Sequence, residues 1–385
     1  MIPYGRQDIS QQDIDAVIEV LNSDYLTQGP VVPKFESAVA TRVNANFAVA
    51  SNSATSSLHS AVWALGLEAG DLFWTTPITF VATANCARYL GAEVDFVDID
   101  PATFNMCPEA LERKLVAAEK VGRLPKVIAP VHMCGQSPDM ANISKLARRF
   151  DVKVLEDASH AIGAEYKNNA VGDCSHSDIT VFSFHPVKIV TSAEGGMAVT
   201  NSEKLASKMQ LFRSHGITRD EKIMQGESEG PWYYQQLALG FNYRMTELQA
   251  ALGLSQLKRL DKFVLRRNEL ARRYDAMFSE LPVTVQKLQA DCYSSYHLYV
   301  LQLSCESLAK RLSFFKNLRA KGIGANVHYI PVHLQPYYQN LGFRSGDFPY
   351  SEDYYSRAIS IPLFPGLSFS EQDYIVETIS RELPQ

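Results

Sequence analysis

Apolar residues fall in short runs along the first two hundred positions, separated by stretches of helical spacing. Phe47 to Ala50 is a run of strand length, and Leu58, Ala61, Val62 and Leu65 follow at helical spacing, with Gly66 placed to end the helix. Leu72 to Trp74 opens a second unit, with Thr75 to Phe80 as a loop and Val81 to Leu90 as a helix. Strand-like runs recur at Glu93 to Val97, at Val127 to Val131 and at Lys153 to Leu155, the last ending in Glu156-Asp157. Ile143 to Phe150 reads as a helix between the last two. Ile179 to Phe184 is β-branched and aromatic, suited to a buried strand, and Pro186 stops it. Glu194-Gly195-Gly196 permits a tight turn into Met197 to Thr200, again apolar. Strands alternating with helices predict an α/β fold: a mostly parallel, doubly wound sheet with helices on both faces.

The flanks read differently. Residues 1–35 form an arm with one amphipathic helix, about Gln11 to Leu21, and a turn-rich end, Asp24 to Pro30. Residues 215–244 are glycine-rich and aromatic. Thr246 and Gln249 make a capping box that opens one long helix, whose stripe is Leu257, Leu260, Val264, Ala271, Tyr274, Phe278 and Leu281. Beyond Pro282 come a strand (His297 to Leu303), a helix (Ser307 to Lys321), a strand near Asn326 to Ile330 and a helix (Glu371 to Leu383). That is a small C-terminal α+β domain. The expected division is arm 1–35, large domain 36–250, and bridging helix with small domain 251–385.

Composition narrows the function classes. The 385 residues carry a net charge of -5 with no long basic run, which argues against nucleic acid and anionic membrane surfaces as partners. No 18-residue apolar run occurs, and the start lacks a signal core. None of the six cysteines sits in a C-x-x-C pair or at metal-ligand spacing. The expectation is a cytoplasmic protein with reduced thiols and no metal. Two motif matches carry no weight. G-E-S-E-G at 226–230 has no strand before it and Pro231 after it, against the needs of a nucleophile elbow. Gly322-Ile323-Gly324 lacks the third glycine of a dinucleotide fingerprint.

The chemistry gathers at strand ends. Lys188 hangs just past a buried strand among apolar residues, where an ammonium loses hydration and becomes a usable amine nucleophile. Asp157 ends the neighbouring strand, and ligands of such sheets sit at these carboxyl ends. Ser51 to Ser56 join a strand to a helix N-terminus, a natural anion cradle. Phe80 offers a ring in the next loop. A desolvated lysine, a carboxylate, an anion cradle and an aromatic ring are the parts that hold pyridoxal phosphate.

The same stretches resemble one family. N-S-A-T-S-S-L-H, T-F-V-A-T-A-N, E-D-A-S-H-A-I-G-A and S-F-H-P-V-K are similar to motifs of the DegT/DnrJ/EryC1/StrS sugar aminotransferases. So are L-T-Q-G-P, L-G-F-N-Y-R-M-T-E-L-Q and H-Y-I-P-V-H-L-Q-P-Y-Y, so the resemblance spans nearly the whole chain. It implies the fold type I architecture of PLP-dependent aminotransferases and a homodimer with shared sites. Within the family, S-N-S-A-T-S, R-S-H-G-I-T-R, P-W-Y-Y and L-S-Q-L-K-R-L-D-K-F are most similar to the pseudaminic-acid branch. Members of that branch aminate C4 of a UDP-linked 4-keto-6-deoxy-N-acetyl-altrosamine, with L-glutamate as donor.

Roles follow from the resemblance position by position. Lys188 would be the Schiff-base lysine and proton shuttle, and Asp157 would pair with the pyridine nitrogen. Phe80 would stack on the ring, Ala54, Thr55 and Ser183 would hold the phosphate, and His160 would lie near the 3-hydroxyl edge. Asn242 and Arg244 would reach the partner's site. Tyr4, Asp24, Tyr25, Leu26, Thr27, His185, His328 and Tyr329 are the candidates for the nucleotide-sugar, with Ala54, Ser183 and Asn242 bordering it. Many family members carry glycine where this chain has Ala54 and Ala193. Some are dehydratases with histidine in place of the lysine, so Lys188 argues for transamination. Another nucleotide-linked keto-sugar is an alternative substrate. A non-catalytic ligand sensor on the same fold would need an output module, and none is visible in the sequence.

Overall fold

The computed structural model describes residues 1–304 and 308–383. The short apolar runs become strands β1 (Phe47–Ser51), β2 (Leu72–Thr75), β3 (Glu93–Phe96), β4 (Val127–Ala129), β5 (Lys153–Asp157), β6 (Ile179–Ser183) and β7 (Gly196–Thr200). They form one sheet in the order β1-β7-β6-β5-β4-β2-β3. Every neighbouring pair is parallel except those of β7, which runs antiparallel to both β1 and β6. The reversal follows from the short connection after β6. It holds no crossover helix, so the chain can only turn back. All five residues of β6 and of β7 are buried, as expected of strands covered on both faces.

One face carries the helix Ala54–Ala64, which packs on β6, β7 and the helices Val81–Arg88 and Glu203–Phe212. Eight of its eleven residues are buried, so it lies between layers rather than on the surface. The other face carries Val31–Val43, packed on β1 and on the helix Glu247–Leu257. Pro30 gives Val31–Val43 no side-chain cap. Instead Glu247, fully buried, accepts the N–H groups of Val31 at 2.6 Å and Val32 at 3.2 Å. A carboxylate there neutralises the dipole end and satisfies two orphan donors, worth about 1 kcal/mol or more. The expected edge of the arm at residue 35 thus falls inside a helix.

The long bridging helix of the sequence reading is two helices, Glu247–Leu257 and Leu260–Phe278, broken at Lys258-Arg259. The break has a cause that the apolar stripe does not carry. Arg259 turns aside to the arm, where its guanidinium meets the carboxylates of Asp8 and buried Asp13. Ser255 and Gln256 donate to the same Asp13 carboxylate, at 2.6 and 2.7 Å. The arm helix Gln11–Leu21 forms as expected, with Ser10 and Asp13 as its capping box.

The small domain is an antiparallel sheet, β8 (Val283–Val285), β9 (Tyr299–Leu303) and β10 (Ala358–Ile361), in that order. Leu270, Tyr274 and Phe278 pack with Phe314, Leu318, Ile375 and Ile379 to close its core. Asn326 to Ile330 is not a strand. Only Asn326 bridges to Ser360, and the segment otherwise follows the wall of a cavity. The helix expected at Ser307 begins at Leu308, with Ser307 and Cys305 outside the described residues. Asp98, just past β3, accepts the N–H groups of Tyr350 at 3.0 Å and Ser351 at 2.9 Å, capping the helix Pro349–Arg357. A cap of this kind ties the large sheet to the small domain. Among the described residues no helix is long and apolar enough to cross a membrane.

Candidate active site

A cavity of about 530 Å³ opens at the carboxyl ends of β5 and β6, within the range of small-molecule sites. Lys188 lies on its wall, in the connection between β6 and β7. Burial pushes its ammonium down to about 8, and the opposing field of Asp157 only partly offsets this. The Nζ atom lies 3.4 Å from His297 Nε2. Asp157, 4% exposed, ends β5 with both oxygens engaged: Oδ2 accepts from Thr83 Oγ1 at 2.6 Å and Oδ1 from the Ser159 N–H at 3.1 Å. Thr83 is itself braced by Thr79 Oγ1 at 2.7 Å. The carboxylate is therefore fixed in rotation with lone pairs to spare.

Opposite lies the start of the helix Ala54–Ala64. Ser53 Oγ caps it by accepting the Ser56 N–H at 3.1 Å. The N–H groups of Ala54 and Thr55 take no partner among the described residues, and both residues border the cavity. Free first-turn donors at a helix N-terminus make an anion site. Gly196 is what lets β7 come so close: a Cβ there would sit 2.6 Å from the Ala54 nitrogen. Ser183 ends β6 on the same wall, and exposed His185 follows it. Ala193 adopts a left-handed φ of 66° in the connection.

Aromatic and imidazole groups complete the wall. Phe80 is 59% exposed, its ring open to the cavity and 6.2 Å from that of Tyr329. His160 Nε2 and Tyr329 Oη are 3.0 Å apart. His328 is held by Ser360 Oγ at 2.8 Å and Asn326 Nδ2 at 3.3 Å. Burial, with the Lys188 charge second, keeps His160 well below the ordinary histidine range and His328 at about 3, so both are neutral. Tyr4 of the arm reaches the same cavity.

Two groups of expected residues lie elsewhere. Asn242 is exposed and Arg244 half-buried, and neither borders this cavity. Asp24, Tyr25, Leu26 and Thr27 are exposed beside them: Thr27 bridges to Thr246, and the Leu26 carbonyl accepts the Glu247 N–H at 3.0 Å. Both groups thus share one face of the subunit.

The DegT/DnrJ/EryC1/StrS aminotransferase family model matches residues 7–380. The chain belongs to that family. It is 39% identical over 382 residues to the spore coat polysaccharide biosynthesis protein SpsC of Bacillus subtilis, covering 98% of this chain and 96% of that one. It is 36% identical over 381 residues to a UDP-4-amino-4,6-dideoxy-N-acetyl-beta-L-altrosamine transaminase of Campylobacter jejuni, with 98% and 96% covered. The Streptococcus pneumoniae protein Spr1654 in its PLP form superimposes with a TM-score of 0.90 at 30% identity, over 99% of this chain and 98% of that one. The protein is a pyridoxal-phosphate-dependent sugar aminotransferase on the expected α/β fold.

The residues present suit that cofactor. Free helix donors match a phosphate, Asp157 matches a protonated ring nitrogen, and Lys188 supplies an amine. Family membership brings an amino donor and a keto-sugar acceptor. Sequence reasoning did not single out Thr83, Ser159, Glu194, Asn326 or His297, all of which line the cavity. Thr83 lay within a motif already noted, four positions after Thr79. His297 and Asn326 come from the small domain, and no local pattern marks them.

Proposed function

We propose that the protein transfers the amino group of L-glutamate to C4 of a UDP-linked 4-keto-6-deoxy-N-acetyl hexose, as in pseudaminic-acid biosynthesis, acting in the cytoplasm as a homodimer. The observation that carries the reading is Lys188: an amine held near 8 facing a fixed carboxylate in one cavity. When bound, pyridoxal phosphate supplies the electron sink for a carbanion at the amino carbon. Lys188 would then move the proton, taking it from Cα of the donor and returning it at the cofactor carbon C4′. Asp157 would hold the proton on the ring nitrogen, Ala54, Thr55 and Ser183 would bind the phosphate, and Phe80 would lie against the ring. His160, neutral and tied to Tyr329, orients the 3-hydroxyl edge. Tyr4, His185, His328 and Tyr329 border the space left for the sugar.

Asp157→Asn should fold and lose about a hundredfold in turnover, because a charge-assisted bond becomes neutral. Steady-state kinetics beside a circular dichroism spectrum checks this, and near-wild-type turnover would remove Asp157 from the reaction. The higher identity to SpsC favours a second reading, a keto-sugar of another polysaccharide route. Purified protein incubated with glutamate and a panel of UDP-linked keto-sugars decides between them. The expected product is the C4 amino-sugar of the altro-configured substrate, and selective amination of a different sugar would replace that assignment.

A further inference from the structure

One polar group in the cavity has no task in the scheme above. His297, 4% exposed, stands at the entry to β9, with Nε2 3.4 Å from Lys188 Nζ. Its Nδ1 is buried without a hydrogen-bond partner among the described residues. Lys188 is therefore the one polar partner of this ring among those residues. Its one polar contact is thus with the amine assigned to the chemistry, and no described backbone or side-chain group of the fold takes a ring nitrogen in its place.

The ring is held from behind by its backbone. The His297 N–H donates to the Cys134 carbonyl at 2.8 Å, and its carbonyl accepts from Arg267 Nη1 at 3.3 Å. Arg267 is 1% exposed and also grips the carbonyls of Tyr296 at 3.1 Å and Leu363 at 2.9 Å. Such a mount fixes the Cα from which the ring reaches Lys188. Lys188 forms no ion pair with Asp157, which acts on it only through space.

We propose that His297 is a positioning residue for Lys188: its Nε2 accepts an N–H of Nζ, which turns the lone pair of the neutral amine to the cavity and gives the ammonium its acceptor. The proposal rests on Lys188 being the reactive amine. A neutral amine has two N–H groups and one lone pair, so committing one N–H to His297 aims what remains. The ammonium keeps the same bond, now charge-assisted and shorter. A separation of 3.4 Å is long for such a bond, as is usual before a site is loaded. His297 must stay neutral to accept, and burial followed by the Lys188 charge holds it well below the ordinary histidine range. The other titratable groups around Nζ are Tyr4, Asp157, His160, His185, Glu194, His328 and Tyr329 in the cavity, with Arg6, Asp8 and Arg267 behind.

The test uses the full-length chain freed of cofactor. Trace acetylation of Lys188, quantified on its peptide by mass spectrometry from pH 6 to 10, should give a midpoint of about 8 in the wild type. In His297→Leu the midpoint should fall by about one pH unit, because the ammonium loses its acceptor. His297→Gln, whose amide oxygen can accept, should recover most of that difference. An unchanged or higher midpoint in a folded His297→Leu would overturn the proposal. Wild-type protein with ¹⁵N-labelled imidazoles gives a check that needs no variant: His297 should carry its proton on Nδ1, and a protonated Nε2 would equally overturn it. Neither measurement involves a sugar, so a wrong substrate leaves both intact. A wild-type midpoint near that of a free lysine would instead undo the reading of Lys188 itself.

Discussion

Lys188→Ala should lose about ten-thousandfold or more in turnover while keeping its fold, because one side chain carries both the amine that binds the cofactor and the base that moves the proton. The site explains why this lysine and not another has that role. An amine at the ordinary lysine value of 10.5 is neutral in roughly 0.03% of molecules at pH 7, whereas at about 8 the neutral share is roughly a tenth. Burial therefore supplies some 300-fold more nucleophile, and the neutral share grows as pH rises through about 8. Lys188→Arg should be as inactive as the alanine variant, since a guanidinium does not give up its proton. Borohydride reduction of the wild-type protein should leave the cofactor on the peptide that contains Lys188. Label on another lysine, or Lys188→Ala activity within tenfold of wild type, would be fatal to the assignment.

The parts of this site that are legible in the sequence are those set by strand ends. Asp157 and Lys188 can be located because the runs Lys153 to Leu155 and Ile179 to Phe184 announce buried strands, and a parallel sheet collects its ligands at one edge. Ala54 and Thr55 are legible for a similar reason, because a strand followed by hydroxyl residues and a helix creates the cradle. His297 and Asn326 are not, since each reaches the cavity from a domain folded more than a hundred residues later. The reversed β7 was half visible: Gly195-Gly196 promises a turn, but direction depends on the missing crossover. The break at Lys258-Arg259 was hidden because its cause, Asp8 and Asp13, lies some 250 positions away while the apolar stripe runs on without interruption. Local period set element type; partners distant in sequence set where elements bend.

Under the proposed shared-site dimer, Asn242→Ala/Arg244→Ala should be nearly inactive, yet regain activity when mixed with inactive Lys188→Ala. The motive is where the structure leaves these side chains. They do not cap the following helix, because Thr246 and Gln249 do that with their own capping box. The Asn242 and Tyr243 carbonyls accept from Asn52, so the segment is pinned beside the cradle loop by its backbone while the Asn242 side chain stays exposed. The Arg244 guanidinium makes no hydrogen bond or ion pair among the described residues, so its charge is left for a group from outside them. Around them Leu239 is 79% exposed, Trp232 71% and Phe241 39%, an apolar face that a second copy would cover. In a two-fold dimer the segment, with Asp24 to Thr27 alongside, would face the partner's cofactor and sugar. A mixed dimer then holds one site with an intact lysine and an intact Asn242/Arg244 pair, and one site with neither. Random reassortment makes about half of the dimers mixed, so about a quarter of wild-type activity should return. The measurement is specific activity after mild dissociation and remixing, with native mass spectrometry of size-tagged subunits to count mixed dimers. Mixed dimers without recovered activity would return Asn242 and Arg244 to their own subunit.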